Sequence, residues 1–491
     1  MILALLLIPT VAALLSLLIR HVLLRRVVLV LAAASHTAVT LTAWAITPAP
    51  LLNDWLWLDE PGLLFLTITS VLFLACSIYA FGYLAGQAGK EQKDFEEGTL
   101  FMNTPEAIFC ACLEAFLATM TLVTVSRHFG LLWVAMEATT LASAPLIYFH
   151  RHHRSLEATW KYLLICSVGI ALALLGNFLM VVAASKPGAE GTAIVIDNLI
   201  ENGASLNVPW LKAAFLLFLV GYGTKMGLAP LHTWLPDAHS ESPSVISALL
   251  SGALLNCAFL AILRSYQVCT AAGQGPFCRN LLVLFGLISI GWATIFILGQ
   301  SDYKRLLAYS SVEHVGILAL GVGIGAGATF GAMLHAVNHS LTKAMLFMVA
   351  GNILAAYKTK TATEVRGILT VLPITGVLWI AGLIAIFGMP PFGAFISEFT
   401  IVKAMIDQGR IGVAVTFLVL LALIFIGMTV TFLNMAQGRN ERDLPVQDRT
   451  ESALALVAPM GLGALTLMLG LYVPPAVNAL LKGAAATIGG Y

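Results

Sequence analysis

The chain has 491 residues, of which 59% are hydrophobic and only 10% charged, with a net charge of +1 and a mean hydropathy of +0.91. Too few charges are present to cover the surface of a soluble protein of this length, which excludes a water-soluble globular fold. The near-neutral balance also gives no basic surface for nucleic acid.

Taken in chain order, apolar runs near the ~20 residues needed to cross a bilayer recur from one end to the other. They predict about fourteen spans, near 2–19, 27–46, 62–87, 106–126, 130–149, 161–184, 209–229, 243–268, 281–300, 306–326, 329–357, 370–407, 411–436 and 452–473. The fold class is therefore an all-α polytopic membrane protein, one continuous bundle without a soluble domain. The first run lacks a basic leader and a clear small-residue cleavage site, so it reads as a retained helix rather than a signal peptide.

The loops between spans alternate in charge. Arg20, Arg25 and Arg26 follow the first span, Lys90 and Lys93 the third, and Arg151 and Arg154 the fifth. Lys304 and Arg305 follow the ninth, Lys358, Lys360 and Arg366 the eleventh, and Arg439, Arg442 and Arg449 the thirteenth. The intervening loops hold little beyond Arg127, Lys186, Arg279 and Arg410. Basic loops stay in the cytoplasm, so both termini are expected outside.

The cysteines carry little chemistry. Cys110, Cys112, Cys166 and Cys257 fall in spans as ordinary packing. Cys269 and Cys278 are expected in one outside loop, reachable by an impermeant reagent, where a disulfide and two free thiols are both compatible. No CxxC pair or Cys/His spacing points to a metal or iron–sulfur site, and no Gly-rich phosphate loop is present.

The ionisable residues inside the spans are the functional signal, since each costs about 2.5–3.5 kcal/mol at mid-membrane on insertion scales. Glu114, Glu137, Lys225, Glu313, His314, His335, His339, Lys343, Glu398 and Lys403 all fall in such runs, and His232 follows Lys225 in "KMGLAPLHTWLPDAH". His335, His339 and Lys343 recur every fourth residue, so one helix face carries all three. Successive members are separated by roughly 6 Å of rise, a gap suited to one bridging water. Imidazole accepts a proton on one nitrogen and releases it from the other, which makes the stripe a candidate proton wire. The plainer reading is three polar groups satisfying neighbouring backbone.

Two spans carry helix breakers beside a charge: Gly223, Gly227 and Pro230 around Lys225, and Gly388, Pro390, Pro391 and Gly393 before Glu398. Broken helices in corresponding halves predict an inverted repeat with its site at the membrane midplane. A buried lysine needs a partner, and Glu137, near the middle of the fifth span, is the expected one.

These stretches resemble the antiporter-like membrane subunits of respiratory complex I, group 4 membrane-bound hydrogenases and Mrp-type antiporters. The resemblance is carried by "WVAMEA", "GTKMGLAPLHTWLPDAHSESPSVISALL", "SDYKRLLAYSSVEHVG", "HAVNHSLTKAMLF" and "GMPPFGAFISEF", over about residues 105–436. "AYSSVEHVG" looks most like the hydrogenase-4 component F type. The resemblance implies two inverted five-helix repeats, 106–268 and 281–436, with the seventh and twelfth spans broken. It implies Glu137 and Lys225 as the first-repeat pair, His335, His339 and Lys343 as the central relay, and Glu398 as the terminal exchange residue. It implies no cofactor in this chain, with other membrane subunits and a peripheral redox arm as partners, in a bacterial or archaeal inner membrane.

The sequence departs from that pattern in the eighth span. "SALLSGALLNCAFLAILR" offers only Ser251 and Asn256 where relatives usually place a lysine or histidine. Glu114 has no place in the pattern, and the chain ends before a long lateral helix of the largest complex I subunit. The leading expectation is a proton-translocating subunit of an oxidoreductase complex. Sodium/proton exchange and a purely structural role are the alternatives.

Overall fold

The computed structural model describes residues 1–87, 91–94, 97–185, 194–438 and 451–489. Lys90, Lys186, Arg439, Arg442 and Arg449, which entered the expected orientation, lie outside the described residues.

The fold is a helical bundle, the form that satisfies every backbone group without water. In chain order it runs α1 (Ile2–Leu18), α2 (Val22–Thr42), α3 (Glu60–Gln87), α4 (Glu106–Val125), α5 (Phe129–Ile147), α6 (His153–Ala184) and the short α7 (Ile196–Glu201). Then come α8 (Val208–Met226), α9 (Trp234–Glu241), α10 (Ser244–Leu249), α11 (Leu255–Ala271), α12 (Gly275–Ile297), α13 (Tyr303–Ile324) and α14 (Gly327–Tyr357). After the short α15 (Ile368–Val371) follow α16 (Pro373–Ile386), α17 (Gly393–Asp407), α18 (Ile411–Ala436), α19 (Ala453–Leu471) and α20 (Pro475–Thr487). A two-residue hairpin, β1 (Gln92–Lys93) with β2 (Leu100–Phe101), pairs Gln92 with Phe101.

Each expected span coincides with helix, and α20 adds one beyond the expected last span. Eleven helical stretches among the described residues are long and apolar enough to cross a membrane. α1 and α16 are shorter apolar helices. The expected twelfth span is two helices, α16 and α17, and the seventh continues past its break as α9.

Burial separates the centre of the bundle from its rim. α10, α11 and the π-helical Leu250–Leu254 between them form one rod buried from Ser244 to Cys269, and α13 is buried along nearly all its length. α18 lies outside and exposes Ile411, Val415, Leu418, Val419, Ile426 and Val430. Small residues permit the closest helix contacts, as expected where lipid supplies no hydrophobic drive. A Cβ on Gly169 of α6 would sit 2.8 Å from the Thr224 Cβ of α8, and one on Gly221 would sit 2.6 Å from the Gly169 carbonyl oxygen. Gly286 and Gly316 repeat this at α12 and α13, with clearances of 2.8 and 2.9 Å to each other's carbonyl oxygens.

Charges close the bundle at its two ends. At one end Arg26 forks onto Glu106 at 2.9 and 2.7 Å, Arg154 meets Asp94 at 2.5 Å, and Lys360 meets Glu241 at 2.8 Å. At the other, Arg127 joins Asp59, at 3.0 Å, to Asp197, and Arg264 forks onto Asp59. Burial alone would raise the Asp59 carboxyl, but Arg264 and Arg127 outweigh it and hold it at about 2. Connections after odd-numbered expected spans thus meet one another, as do those after even-numbered ones. Arg264, at the end of the run in which only Ser251 and Asn256 were singled out, is a fully buried charge that the apolar pattern concealed.

One expectation is corrected. Cys269 lies in α11 and Cys278 in α12, and both are fully buried free thiols. The turn between those helices is only residues 272–274, too short to hold either cysteine. An impermeant maleimide should therefore leave both unlabelled in the native protein and label them after unfolding; labelling of native Cys269 from either side would contradict this packing. Arg264→Met removes the forked partner of Asp59 and leaves it only Arg127, and should lower the stability of the assembled protein by about 2 kcal/mol. The drop would appear as a lower thermal midpoint in detergent, partly recovered in Arg264→Met/Asp59→Leu.

Candidate functional site

The first locus forms where α8 stops. Gly227, at φ 87°, ends the helix: its N–H reaches the Thr224 carbonyl at 3.2 Å and that of Leu228 reaches Gly223 at 2.8 Å. Trp234 of α9 also donates to the Thr224 carbonyl, at 2.8 Å. This leaves Lys225 in the final turn, fully buried. Its Nζ donates to Thr140 Oγ1 of α5 at 2.7 Å and to the Tyr162 hydroxyl of α6 at 2.6 Å. Tyr162 in turn shares a hydrogen bond of 2.6 Å with Ser143 Oγ.

No ion pair joins Lys225 to Glu137 among the described residues. Glu137 lies one helical turn before Thr140 and accepts from Ser167 Oγ at 3.0 Å, and its other oxygen is buried without a partner. The expected direct pair is corrected to a lysine held by two hydroxyls with the carboxylate a turn away. The hydroxyls of Thr140 and Tyr162, and that of Ser143 behind Tyr162, went unnoticed in the sequence because hydroxyls are common in such helices.

The second locus is built between α13, α14 and α17. Lys343 Nζ donates to the Leu307 carbonyl at 2.7 Å and to Ser310 Oγ, both on α13. His314, also on α13, sets its ring beside the two histidines of α14, at the apex of a triangle with them. Its centroid is 5.0 Å from that of His335 and 4.8 Å from that of His339, whose own rings are 6.5 Å apart. A third imidazole thus flanks the gap expected to hold water along α14, hydrogen-bonded to His335 and in ring contact with His339.

The hydrogen bonds of this stack have a direction. Ser397 Oγ donates to the Ala394 carbonyl at 2.8 Å, so it accepts from His335 Nδ1, 3.0 Å away. His335 Nε2 is then an acceptor, and His314 Nδ1 donates to it at 2.9 Å. That leaves His314 Nε2 with a free lone pair, and it has no partner, as neither nitrogen of His339 has.

Glu398 follows Ser397 at the second break. Gly388, at φ 55°, lies so close that any Cβ there would collide with the Glu398 carboxylate. Glu398 and Glu313 line a cavity of about 170 Å³ with Phe387, Leu421 and Phe425. One carboxylate oxygen of Glu398 and one nitrogen each of His314 and His335 lie within 4.8 Å of one another, a set able to hold a metal ion. The three come from three helices, so no sequence spacing could reveal them.

Ser251 and Asn256 connect this locus to the central rod. Ser251 Oγ meets Ser311 Oγ at 2.8 Å, beside the Ser310 that holds Lys343. Asn256 Nδ2 donates to Ser340 Oγ at 2.6 Å, next to His339, and to Gly252 O at 2.8 Å, while its Oδ1 has no partner. His239 on α9 was missed: it is fully buried, stacked 4.9 Å from Phe347, with both nitrogens unpartnered. Its signal was present in "LPDAHS", where it follows His232 by seven residues.

Glu114, His232 and Lys403, all expected site residues, lie outside both loci. Glu114 accepts from Ser16 Oγ of α1 at 3.0 Å. His232 is buried in the first break, edge-on to Trp292 at 6.1 Å. Lys403 is exposed and pairs with Asp407 at 2.5 Å.

Beyond the site, a cavity of about 720 Å³ opens at the Glu241–Lys360 end, lined by His150, His152, Glu241, Ser242 and Lys304. Lys304 forms its buried floor, donating to the Ser240 and Ser242 carbonyls at 3.0 and 2.7 Å. Burial pushes the His150 imidazole down to about 3.

Residues 126–425 match the family described as NADH:quinone oxidoreductase/Mrp antiporter, TM. The chain is 38% identical over 349 residues to the hydrogenase-4 component F homolog of Methylacidiphilum infernorum, covering 70% of this chain and 71% of that protein. It is 30% identical over 339 residues to NADH-quinone oxidoreductase subunit N of Desulforudis audaxviator, covering 68% of this chain and 63% of that one. Against a chain of the membrane-bound sulfane sulfur reductase, an archaeal respiratory membrane complex, the TM-score is 0.86 at 21% identity, covering 99% of this chain and 98% of that one. A chain of respiratory complex I from Thermus thermophilus gives 0.77 at 25% identity, covering 96% and 97%. The chain belongs to the NADH:quinone oxidoreductase/Mrp antiporter transmembrane family.

Proposed function

We propose that this chain moves protons as a membrane subunit of a complex I-like or membrane-bound hydrogenase complex, while partner subunits carry out the electron chemistry. The single observation that supports it most is the directional file His314–His335–Ser397, which begins at a bare lone pair and ends beside Glu398. A proton arriving at His314 Nε2 allows His314 Nδ1–H to pass to His335 Nε2. Ser397 Oγ takes the His335 Nδ1 proton only as its own O–H turns from the Ala394 carbonyl and passes to the ionised Glu398 carboxylate, from which the cavity beyond receives it. Each imidazole returns to a neutral state one step later.

The first locus serves as a separate loading point. Lys225 donates hydrogen bonds to hydroxyls rather than forming an ion pair with a fixed carboxylate, so Tyr162, Thr140 and Ser143 can reorient around it without breaking an ion pair. Repeats of 106–268 and 281–436, each with a glycine-ended break beside a charge, belong to this reading. So do both termini on the outer face of a bacterial or archaeal inner membrane, and a peripheral redox arm as partner.

Similarity to a Na(+)/H(+) antiporter subunit A1 of Staphylococcus aureus, 28% over 465 residues, keeps sodium exchange as a second reading. Sodium takes hard oxygen ligands, whereas the file here is nitrogen-rich, which favours protons.

Lys225→Ala in an assembled complex should cut proton uptake into reconstituted vesicles by about tenfold or more, equivalent to about 1.4 kcal/mol or more in barrier. A scaffold would instead lose assembly and leave pumping per assembled complex unchanged, and full pumping by the variant would sink the proposal. Asn256→Leu should slow pumping without loss of assembly, because it removes the amide that reaches Ser340; Asn256→Gln should be milder. A merely structural Asn256 contributes only ~0.6 kcal/mol and its loss would leave transport alone. Replacing sodium by choline should not alter proton uptake in the wild type.

A further inference from the structure

We propose that His314, His335 and Glu398 form a binding site for a borderline-soft divalent cation, of which Zn²⁺ is the best fit, at the end of the histidine file. The ligand atoms already lie within 4.8 Å of one another and all three side chains come from packed helices around the second break. His335 is oriented for this role by its Nδ1–H bond to Ser397 at 3.0 Å, the outer-shell contact that fixes a metal-ligating tautomer. Its Nε2 lone pair faces His314.

His314 needs one internal change. Its proton moves from Nδ1 to the unpartnered Nε2, freeing Nδ1 to bind, so no proton leaves the histidine pair. The two facing nitrogens are 2.9 Å apart. Tetrahedral Zn²⁺ with Zn–N near 2.0–2.1 Å sets them roughly 3.3 Å apart, so the rings must part by only a few tenths of an ångström. The Glu398 carboxylate is the third ligand, and it also lines the cavity of about 170 Å³, which gives a cation a way to this carboxylate. Two imidazoles and one carboxylate select Zn²⁺ or Co²⁺ over Na⁺, Mg²⁺ and Ca²⁺, which prefer all-oxygen sites. An occupied site takes both lone pairs that relay the proton, so occupancy and passage exclude each other; that second clause alone rests on the proton reading.

The test is titration of the purified, assembled complex with Co²⁺ and Zn²⁺. The expected result is one Co²⁺ per chain with the strong visible absorption of a four-coordinate site, displaced by Zn²⁺ and not by millimolar Na⁺, Mg²⁺ or Ca²⁺. X-ray absorption of the Zn²⁺ form should show a nitrogen and oxygen shell near about 2.0 Å with imidazole scattering. His335→Gln and Glu398→Gln should each weaken binding by about tenfold or more, and Ser397→Ala by about tenfold. His21→Gln/His153→Gln, which removes two exposed imidazoles, should leave binding unchanged. Unchanged Co²⁺ binding in His335→Gln/Glu398→Gln, or a six-coordinate oxygen shell in the wild type, would overturn the site. Binding with this signature but without inhibition of proton uptake would support the site and count against the proton file.

Discussion

An amine or imidazole buried in a membrane bundle must find its hydrogen-bond partners within the protein, and in the second locus α13 supplies them. Its Leu307 carbonyl and Ser310 hydroxyl hold Lys343, its Ser311 meets Ser251 of the central rod, and its His314 completes the stack with α14. The tight glycine contacts of α12 and α13 fix where that polar face points. If α13 shifted by one residue, about 100° of rotation would turn these groups away from α14 and leave Lys343 unsatisfied.

The two broken helices solve a related problem. A regular helix consumes its own carbonyls and N–H groups and leaves no room beside a charge. Ending α8 at Gly227 places Lys225 in a terminal turn, and the turn at Gly388 clears the space that the Glu398 carboxylate fills. Both are positions where a side chain would be strained, and Gly388 would also clash, so glycine serves two purposes at once.

Much of this was legible in the sequence. Composition and run length specified the class, Gly and Pro marked the breaks, and an i, i+4, i+8 pattern placed His335, His339 and Lys343 on one face. What stayed hidden were contacts between helices distant in the chain. His314 was visible as an ionisable residue in an apolar run, but its place against His335 and His339 depends on the rotation of α13 against α14. Glu137 was the nearest acid by sequence logic, yet two hydroxyls reach Lys225 first. Arg264 lay at the end of a run judged apolar, and its partner Asp59 is 205 residues away. Cys269 and Cys278 were assigned to a loop because helix ends are uncertain by a few residues, enough to change exposed thiols into buried ones.

The central claim is that protons cross the imidazoles of α13 and α14, and His314→Phe tests it most directly. The substitution keeps a flat ring of similar shape against His335 and His339 but removes both nitrogens. Proton uptake should be measured in vesicles holding the assembled complex, with electron transfer followed in parallel. The account predicts that uptake collapses while the complex remains assembled. Uptake equal to wild type per electron transferred would show that the protons travel elsewhere.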